Sequence, residues 1–541
     1  MATTNKQGIG WNATSKEGVV AAGSADAVAA GITILAEGGN AADAAVATIL
    51  ALTVTDHGAC SIGGEVPLLI YDVGSQTVKA LSGQGRAPLS QKAINWYLKN
   101  GIPEDIKMAP VPSVVDLCLT TLQKYGTRTL EDVLPPTLAL LDTGTKSWHP
   151  KLARTLRRMV QEEQIASGSR EQKLQAACDR FYGRNKDRND IAEELEEYYI
   201  QQGGFLRKSD LAAHKTTIED PITVTYRGYT ICKCGPWTQG PFLLQALKLL
   251  EDFDLKGMKQ YSPEYIHLVT ESIKLAMADR DLYYGDPEFV DVPLPALLSD
   301  AYAEIRRPLI DLHKASQEAR PGDPHGMKPL LDPGVFRPGL GGTTTCVVAD
   351  RWGNVVSATP SANVPKEPRG GGKAGVTYSN RLRSLNTTPG HPNCIQPGKR
   401  PRITLTPTLV LKNSKPILAI SVAGGDLQDQ VTLNLLLDYI EFGLLPKNAV
   451  TAPRFATAHH QDSFDPNPDR VQTFKGPGSL TIRKNTSKST QKELKQRGHK
   501  LTITDSPIGA PVMLYIDQDN GDNYVAGDPE SLRHAAGLGN N

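Results

Sequence analysis

Residues 338–363 read "PGLGGTTTCVVADRWGNVVSATPSAN", and this stretch decides the fold. Two glycines stand directly before three threonines, at the junction between a Pro/Gly-rich segment and an alternating β-branched run. "TTTCVVADRWGNVVSAT" carries the signature of a β-hairpin: apolar alternation, the turn "DRWGN", then a second β run. On these residues alone, the plain reading of "GGTTT" is a glycine turn that enters an ordinary hairpin. A second reading has chemical consequences. If the Gly342–Thr343 peptide were cut, Thr343 would become an N-terminal threonine, with its hydroxyl as nucleophile and its own α-amine as the adjacent base. An α-amine titrates near pKa ~7.7–8.0, so much of it is neutral and proton-accepting at physiological pH. Glycine at 342 leaves its carbonyl open to attack by the Thr343 hydroxyl.

Outward from this point, helices and strands alternate. "SADAVAAGITILAE" (24–37) opens on an N-cap serine and ends at Gly38–Gly39, and "NAADAAVATILALTVTD" repeats the pattern from Asn40. "PLLIYD" (67–72) reads as a strand after the Gly63–Gly64 turn. Residues 150–215 are charge-dense and helical, which suggests a peripheral, solvated layer. "ITVTYRGYTICKC" predicts a strand pair, "PFLLQALKLLEDFDL" and "SPEYIHLVTESIKLAMADRDLYYG" two helices, and 305–342 a long irregular loop. "RITLTPTLVLK" and "PILAISVAGG" predict a second strand pair, "DQVTLNLLLDYIEFGL" a helix on it, and the tail further strands.

Composition narrows the function classes. Over 541 residues, 59 Lys plus Arg balance 58 Asp plus Glu without long single-sign blocks, which argues against a nucleic-acid or acidic-membrane surface and leaves a small molecule as partner. Seven cysteines are an odd number spread over a long chain, so free thiols are expected. The Cys232/Cys234 pair lacks a second pair at zinc spacing, and His459–His460 point opposite ways if extended, so no metal or other cofactor is expected. The N-terminus shows no basic or apolar signal region and no run reaches ~18 apolar residues, which predicts a cytoplasmic chain. "RGGGKAG" (369–375) lacks the spacing and the Ser or Thr of a phosphate loop.

The ordered set "GVVAAGSADAVAAGITILAEGGNAADAAVAT", "YRGYTI", "LLQALKLLEDFDL", "ADRDLYYGDPEFVDVP", "TTTCVVADRWGNVVSAT", "PGKRPRITLTPTLVL", "AGG", "TAPRF" and "AGDPES" resembles the γ-glutamyltransferases of the N-terminal-nucleophile hydrolase superfamily, from about residue 17 to 535. The resemblance implies a four-layer αββα sandwich. It also implies self-cleavage into a large-subunit region 1–342 and a small-subunit region 343–541, with a possible homo-oligomer of such heterodimers. By resemblance Thr343 is the nucleophile, Ser361 and Asn363 contact it and the substrate, and Gly424 and Gly425 form the oxyanion hole. The last assignment has independent physics, because glycines between a strand and a helix can aim N–H groups at a developing oxyanion.

Other positions depart from the family pattern. Ile403 and Thr404 stand where the family has a serine pair for the α-carboxylate. Ser384 falls at an acidic residue that holds the α-ammonium, and Arg86 is the only arginine near the family's carboxylate clamp. The glutamyl clamp is thus largely missing, and because an ammonium and a carboxylate left unpaired in a buried site cost several kcal/mol, ordinary glutathione is not the expected substrate. Arg381 and Arg383 suit a small carboxylate instead. "PGHPNCIQPGKRP" is short where many relatives carry a lid, predicting an open site. With "GPWTQGP" and "SGQGRAP" it resembles the oxamate-amidohydrolase subgroup. Three activities stay open: hydrolysis or transfer of a γ-glutamyl-like acyl group, an oxamate-type small-amide hydrolase, and an unprocessed relative acting as a binding protein.

Overall fold

In the computed structural model, residues 8–329, 342–362, 364 and 370–539 are described. The opening stretch folds as its pattern predicts: strand Cys346–Asp350 pairs antiparallel with Val355–Ala358. Asp350 organises the turn, its Oδ1 accepting from Trp352 N at 2.9 Å and Asn354 N at 3.0 Å. Its Oδ2 accepts from Ala41 N at 2.9 Å. A carboxylate therefore sits on the N-terminus of helix Ala41–Thr55, where the helix dipole favours negative charge. That helix also carries the capping box Asn40/Asp43, and helix Ala25–Ala36 carries the predicted Ser24 cap.

Two seven-stranded sheets form the centre. The first runs, in spatial order, 534–537, 18–22, 346–350, 355–358, 66–72, 77–83 and 217–219. The second runs 12–15, 523–527, 510–516, 415–423, 408–412, 229–233 and 222–226. Neighbours within both are antiparallel. Each sheet contains strands from both sides of Gly342, so both segments share one sandwich.

The period of two along a strand separates the layers. Val347, Ala349 and Val355 of the first sheet meet Leu409, Ala419, Val512 and Leu514 of the second in the core between the sheets. Cys346, Val348, Val356 and Ala358 face the other way, onto helices Ala25–Ala36, Ala41–Thr55 and Val114–Tyr125. Val410, Leu418, Ile420 and Met513 likewise face Pro241–Leu250, Pro263–Tyr283 and Gln428–Ile440. The result is the αββα sandwich. All seven cysteines are buried free thiols.

Three sequence expectations change. The 150–215 helices are not merely peripheral: Leu152, Leu156, Phe181, Tyr182, Ile191 and Leu195 join the core of the first helical layer. Most of their charges lie on the outer faces, as in the Arg158 pairs with Asp190 and Glu194, while Glu162, Glu163, Arg180 and Asp210 are buried with partners. The 305–342 segment is partly packed, since Gly322 N donates to the buried Asp279 and Arg320 Nη2 to Glu271; residues 330–341 lie outside the described residues. "RITLTP" is not strand; pairing starts at Thr408, and Ile403 makes one isolated bridge with Thr238. Pro407 interrupts the ladder there by removing a donor.

Candidate active site

Thr343 precedes the central strand Cys346–Asp350 and is 7% exposed. Thr344 anchors it: its N donates to Pro360 O at 2.9 Å and its Oγ1 to Asp56 Oδ2 at 2.6 Å. Thr343 Oγ1 lies 3.5 Å from Ser361 Oγ, and Ser361 Oγ donates to the Gly342 carbonyl at 2.8 Å. One hydroxyl thus adjoins both the side chain of Thr343 and the carbonyl of the peptide bond before it.

Ser361 belongs to a wall built from the first-sheet half. It exchanges backbone hydrogen bonds with Glu65 at 2.8 and 2.9 Å. Gly64 is required for this approach, because a Cβ there would lie 2.1 Å from Ser361 O. Arg381, on the turn Arg381–Ser384, donates from Nη2 to Ser361 Oγ at 2.7 Å and from Nε to Glu65 Oε1 at 2.6 Å. Phe464 lies under both guanidiniums, 5.4 Å from Arg381 and 4.7 Å from Arg383. Burial pushes the Glu65 carboxyl up, with Arg381 pulling against it. Burial, and then Arg381, lower the Arg383 guanidinium to about 10, while Asp462 and Glu104 oppose.

A second wall comes from the other sheet. Strand Lys415–Ala423 ends in Gly424 and Gly425, with φ of 148° and 61°, which turn the chain through Gly425–Leu427 into helix Gln428–Ile440. Consecutive positive φ values are what only glycines adopt without strain. Gln428 reaches Thr343: with its NH2 donating to Thr404 O at 3.0 Å and Val422 O at 3.1 Å, its amide oxygen faces Thr343 Oγ1 at 3.4 Å. Asp426 fixes the turn, accepting from Arg280 Nη1 and Ser463 Oγ at 2.5 Å each and from Ser463 N at 3.2 Å. Burial alone would raise the Asp426 carboxyl, but Arg280, His460 and Arg402 outweigh it and hold it well below the usual carboxylate range.

The structure therefore brings Thr343, Gly342, Ser361 and Arg381 together, with Gly424 and Gly425 leading into the Gln428 that faces Thr343. Thr404 backs Gln428 through its carbonyl, and its own Oγ1 is buried without a hydrogen-bond partner among the described residues. Ser384 Oγ is buried in the same condition, while Ser384 O accepts from Asn393 Nδ2. Arg86 forms a bidentate pair with Glu288 at 2.8 and 2.6 Å and also donates to Gly398 O, partners that lie apart from this cluster. Asn363 lies outside the described residues. The short segment after Asn386 folds back on itself through Asn386 N to Asn393 O and Ile395 N to Asn386 O.

Glu65, Gln428, Arg280 and Asp426 escaped the sequence reading. "IGGE" offered a signal, an acid directly before an apolar strand, and "AGGDLQDQ" another, polar residues where the helix should begin. Away from the site, His267, Glu271 and His499 bring possible metal ligands within 4.8 Å. Their atoms have other partners: His267 bonds His499 at 2.8 Å and Asp311 O at 2.7 Å, while Glu271 holds Lys274 and Arg320. His459 and His460 diverge, toward Glu318 O and Gln461 O.

The layered framework is that of an N-terminal-nucleophile hydrolase. The family model described as gamma-glutamyltranspeptidase matches residues 27–186 and 146–538. The glutathione hydrolase proenzyme of Bacillus subtilis (strain 168) is 31% identical over 568 positions, spanning 97% of this chain and 92% of that one. The acylase ACY 1 proenzyme of Pseudomonas sp. (strain SE83) is 29% identical over 82% of this chain and 83% of its own. The solved structure of LmbA2991HD superposes with a TM-score of 0.86 at 30% identity, over 97% and 98% of the two chains. The chain belongs to the gamma-glutamyltranspeptidase family and is an enzyme of the hydrolase and acyltransferase type. Among the described residues, no helix is long and apolar enough to cross a membrane.

Proposed function

We propose that this chain is a self-processing threonine amidohydrolase that cuts its own Gly342–Thr343 bond and then works through Thr343. In processing, Thr343 Oγ attacks the Gly342 carbonyl, the C–N bond breaks, and an ester forms. Water hydrolyses that ester, leaving a carboxylate on Gly342 and a free α-amine on Thr343. In turnover, the same oxygen attacks the substrate amide while the α-amine takes its proton and passes it to the leaving amine. Water, or an acceptor amine, then releases the acyl group. Gly424 and Gly425 N–H groups stabilise the oxyanion, with Ser361 and Asn363 at the nucleophile.

The observation that carries this reading is the Ser361 hydroxyl, which donates to the Gly342 carbonyl while lying 3.5 Å from Thr343 Oγ1. It polarises the bond to be cut beside the group that cuts it. The proenzyme names of the glutathione hydrolase and acylase relatives support processing. Denaturing mass analysis tests it: two chains are expected, the second beginning at Thr343, and a persistent 58.4 kDa chain would refute it. That outcome would favour an unprocessed binding protein. The two segments stay associated because each sheet contains strands of both.

A γ-glutamyl-like or other small acyl group is the substrate. The oxamate-type reading is favoured by one observation: Arg381, a cation, is bonded to Ser361 at the nucleophile. Ammonia release from oxamate, compared with amine release from a γ-glutamyl anilide, separates the two.

A further inference from the structure

Glu65 and Arg381 are both almost wholly buried, and their contact orients a guanidinium beside the nucleophile. Nε is held by Glu65 and Nη2 by Ser361, which itself holds the Gly342 carbonyl. The third nitrogen, Nη1, is buried with no hydrogen-bond partner among the described residues. A buried charged donor without an acceptor is costly, so an acceptor arriving from outside the chain binds with advantage. Arg383, whose charge Asp462 and Glu104 partly offset, shares the Phe464 ring and adds to the positive field. Only one hydroxyl, that of Ser361, stands between this guanidinium and Thr343 Oγ1.

Building on the amidohydrolase reading above, we propose that Arg381 is a specificity-determining group that takes a carboxylate on the acyl part of the substrate. Glu65 is the positioning residue that aims it. In the uncut chain the same subsite is used, through Ser361, by the Gly342 carbonyl. Cleavage converts that carbonyl into a carboxylate on a chain end no longer tied to Thr343, so the first anion to leave the subsite is the chain's own. The closeness of guanidinium and nucleophile places the substrate carboxylate near the attacked carbonyl, as in an oxalyl or short dicarboxylic acyl group. An α-ammonium there would face two guanidiniums.

The test uses the processed enzyme with four p-nitroanilides: oxalyl, glutaryl, γ-glutamyl and butyryl. The better of the oxalyl and glutaryl compounds should exceed the butyryl compound about 30-fold or more in kcat/KM, the scale of a charged hydrogen bond, and should exceed the γ-glutamyl compound too. Glu65→Gln should raise KM for the preferred anilide about tenfold more than for butyryl, with less change in kcat, because a mispointed guanidinium weakens binding of the anion alone. Arg381→Lys should retain part of the carboxylate preference that Arg381→Gln loses. Wild-type rates on both the oxalyl and the glutaryl anilide no higher than on butyryl, or a preference for γ-glutamyl, overturn the subsite even if no variant folds. Equal losses on both substrates in Glu65→Gln reduce it to a structural residue and overturn its role. A wild-type chain that stays uncut refutes the parent reading instead, whereas a cut, active enzyme blind to the carboxylate refutes only this one.

Discussion

The two walls beside Thr343 each contain a buried acid paired with a buried arginine, yet the acids respond in opposite directions. Glu65 meets Arg381 at 2.6 Å and its carboxyl is raised; Asp426 meets Arg280 at 2.5 Å and its carboxyl is lowered. Burial acts on both. The difference lies in the number of groups that favour the charge. Asp426 gathers Arg280, the Ser463 hydroxyl and N–H, and the fields of His460 and Arg402. Glu65 has chiefly Arg381, which is also committed to Ser361. The Asp426 charge is well compensated, and its wall carries the Gly424–Gly425 turn. On the other wall Arg381 Nη1, Glu65 Oε2 and Ser384 Oγ have no hydrogen-bond partner among the described residues.

The largest test of this contrast removes the group between the walls. Thr343→Ala should leave the chain uncut by gel analysis and lower turnover by about 10⁴-fold, with Thr343→Ser recovering part of both. Next comes the Asp426 wall: Asp426→Leu removes one of the two carboxylates on the buried Arg280, which keeps Asp281 at 2.7 Å, and also frees Ser463, and should cost about 2–3 kcal/mol in denaturant unfolding. Ser384→Ala, on the other wall, should change stability by no more than about 0.5–1 kcal/mol, since the lost hydroxyl has no hydrogen-bond partner among the described residues. If both cost the same, the contrast between the walls is wrong.

Acid titration separates the two carboxylates. The folded value of Asp426 lies below its unfolded value of ~3.9, so its stabilising contribution is present above that pH and is lost as pH falls toward the folded value. The stability advantage of wild type over Asp426→Asn should therefore shrink only below about pH 4. The folded value of Glu65 lies above ~4.3, so its contribution is greatest below that pH and declines as pH rises through the folded value. Wild type should accordingly lose ground against Glu65→Gln as pH rises from about 4. Parallel pH curves for the two variants would break the comparison. Gly425→Ala is expected to fall between Asp426→Leu and Ser384→Ala in stability: with φ of 61° and a new Cβ 2.9 Å from the Phe464 ring, it should cost about 1–2 kcal/mol while slowing turnover more visibly.

The hairpin at 346–358, the capped helices at 25–36 and 41–55 and the strand at 66–72 were all legible, because caps and apolar period are properties of short windows. The same local logic exaggerated the solvation of 150–215, where charges repeat on one helical face while the other face packs. Thr343 and Ser361 were read as neighbours by resemblance and Arg381 as a candidate, but not the hold of Arg381 on Ser361. Gln428 and Glu65 went unremarked, since nothing within ten residues of Glu65 explains an acid there.

Sequence alone determined the succession of helices and strands and the place where a threonine could become a chain terminus, because glycine placement, caps and side-chain periodicity act over a few residues; the four-layer sandwich was implied by the family resemblance. That resemblance also marked Ile403, Thr404 and Ser384 as departures from the family's glutamyl-binding pattern. Tertiary structure alone decided which charged groups meet beside Thr343. Glu65 and Arg381 are 316 positions apart, and Arg280 and Asp426 are 146 apart. Coulomb and hydrogen-bond energies depend on distances and burial that no window of sequence contains, so the charge of the pocket, unlike its framework, appears only once the sheets have closed on each other.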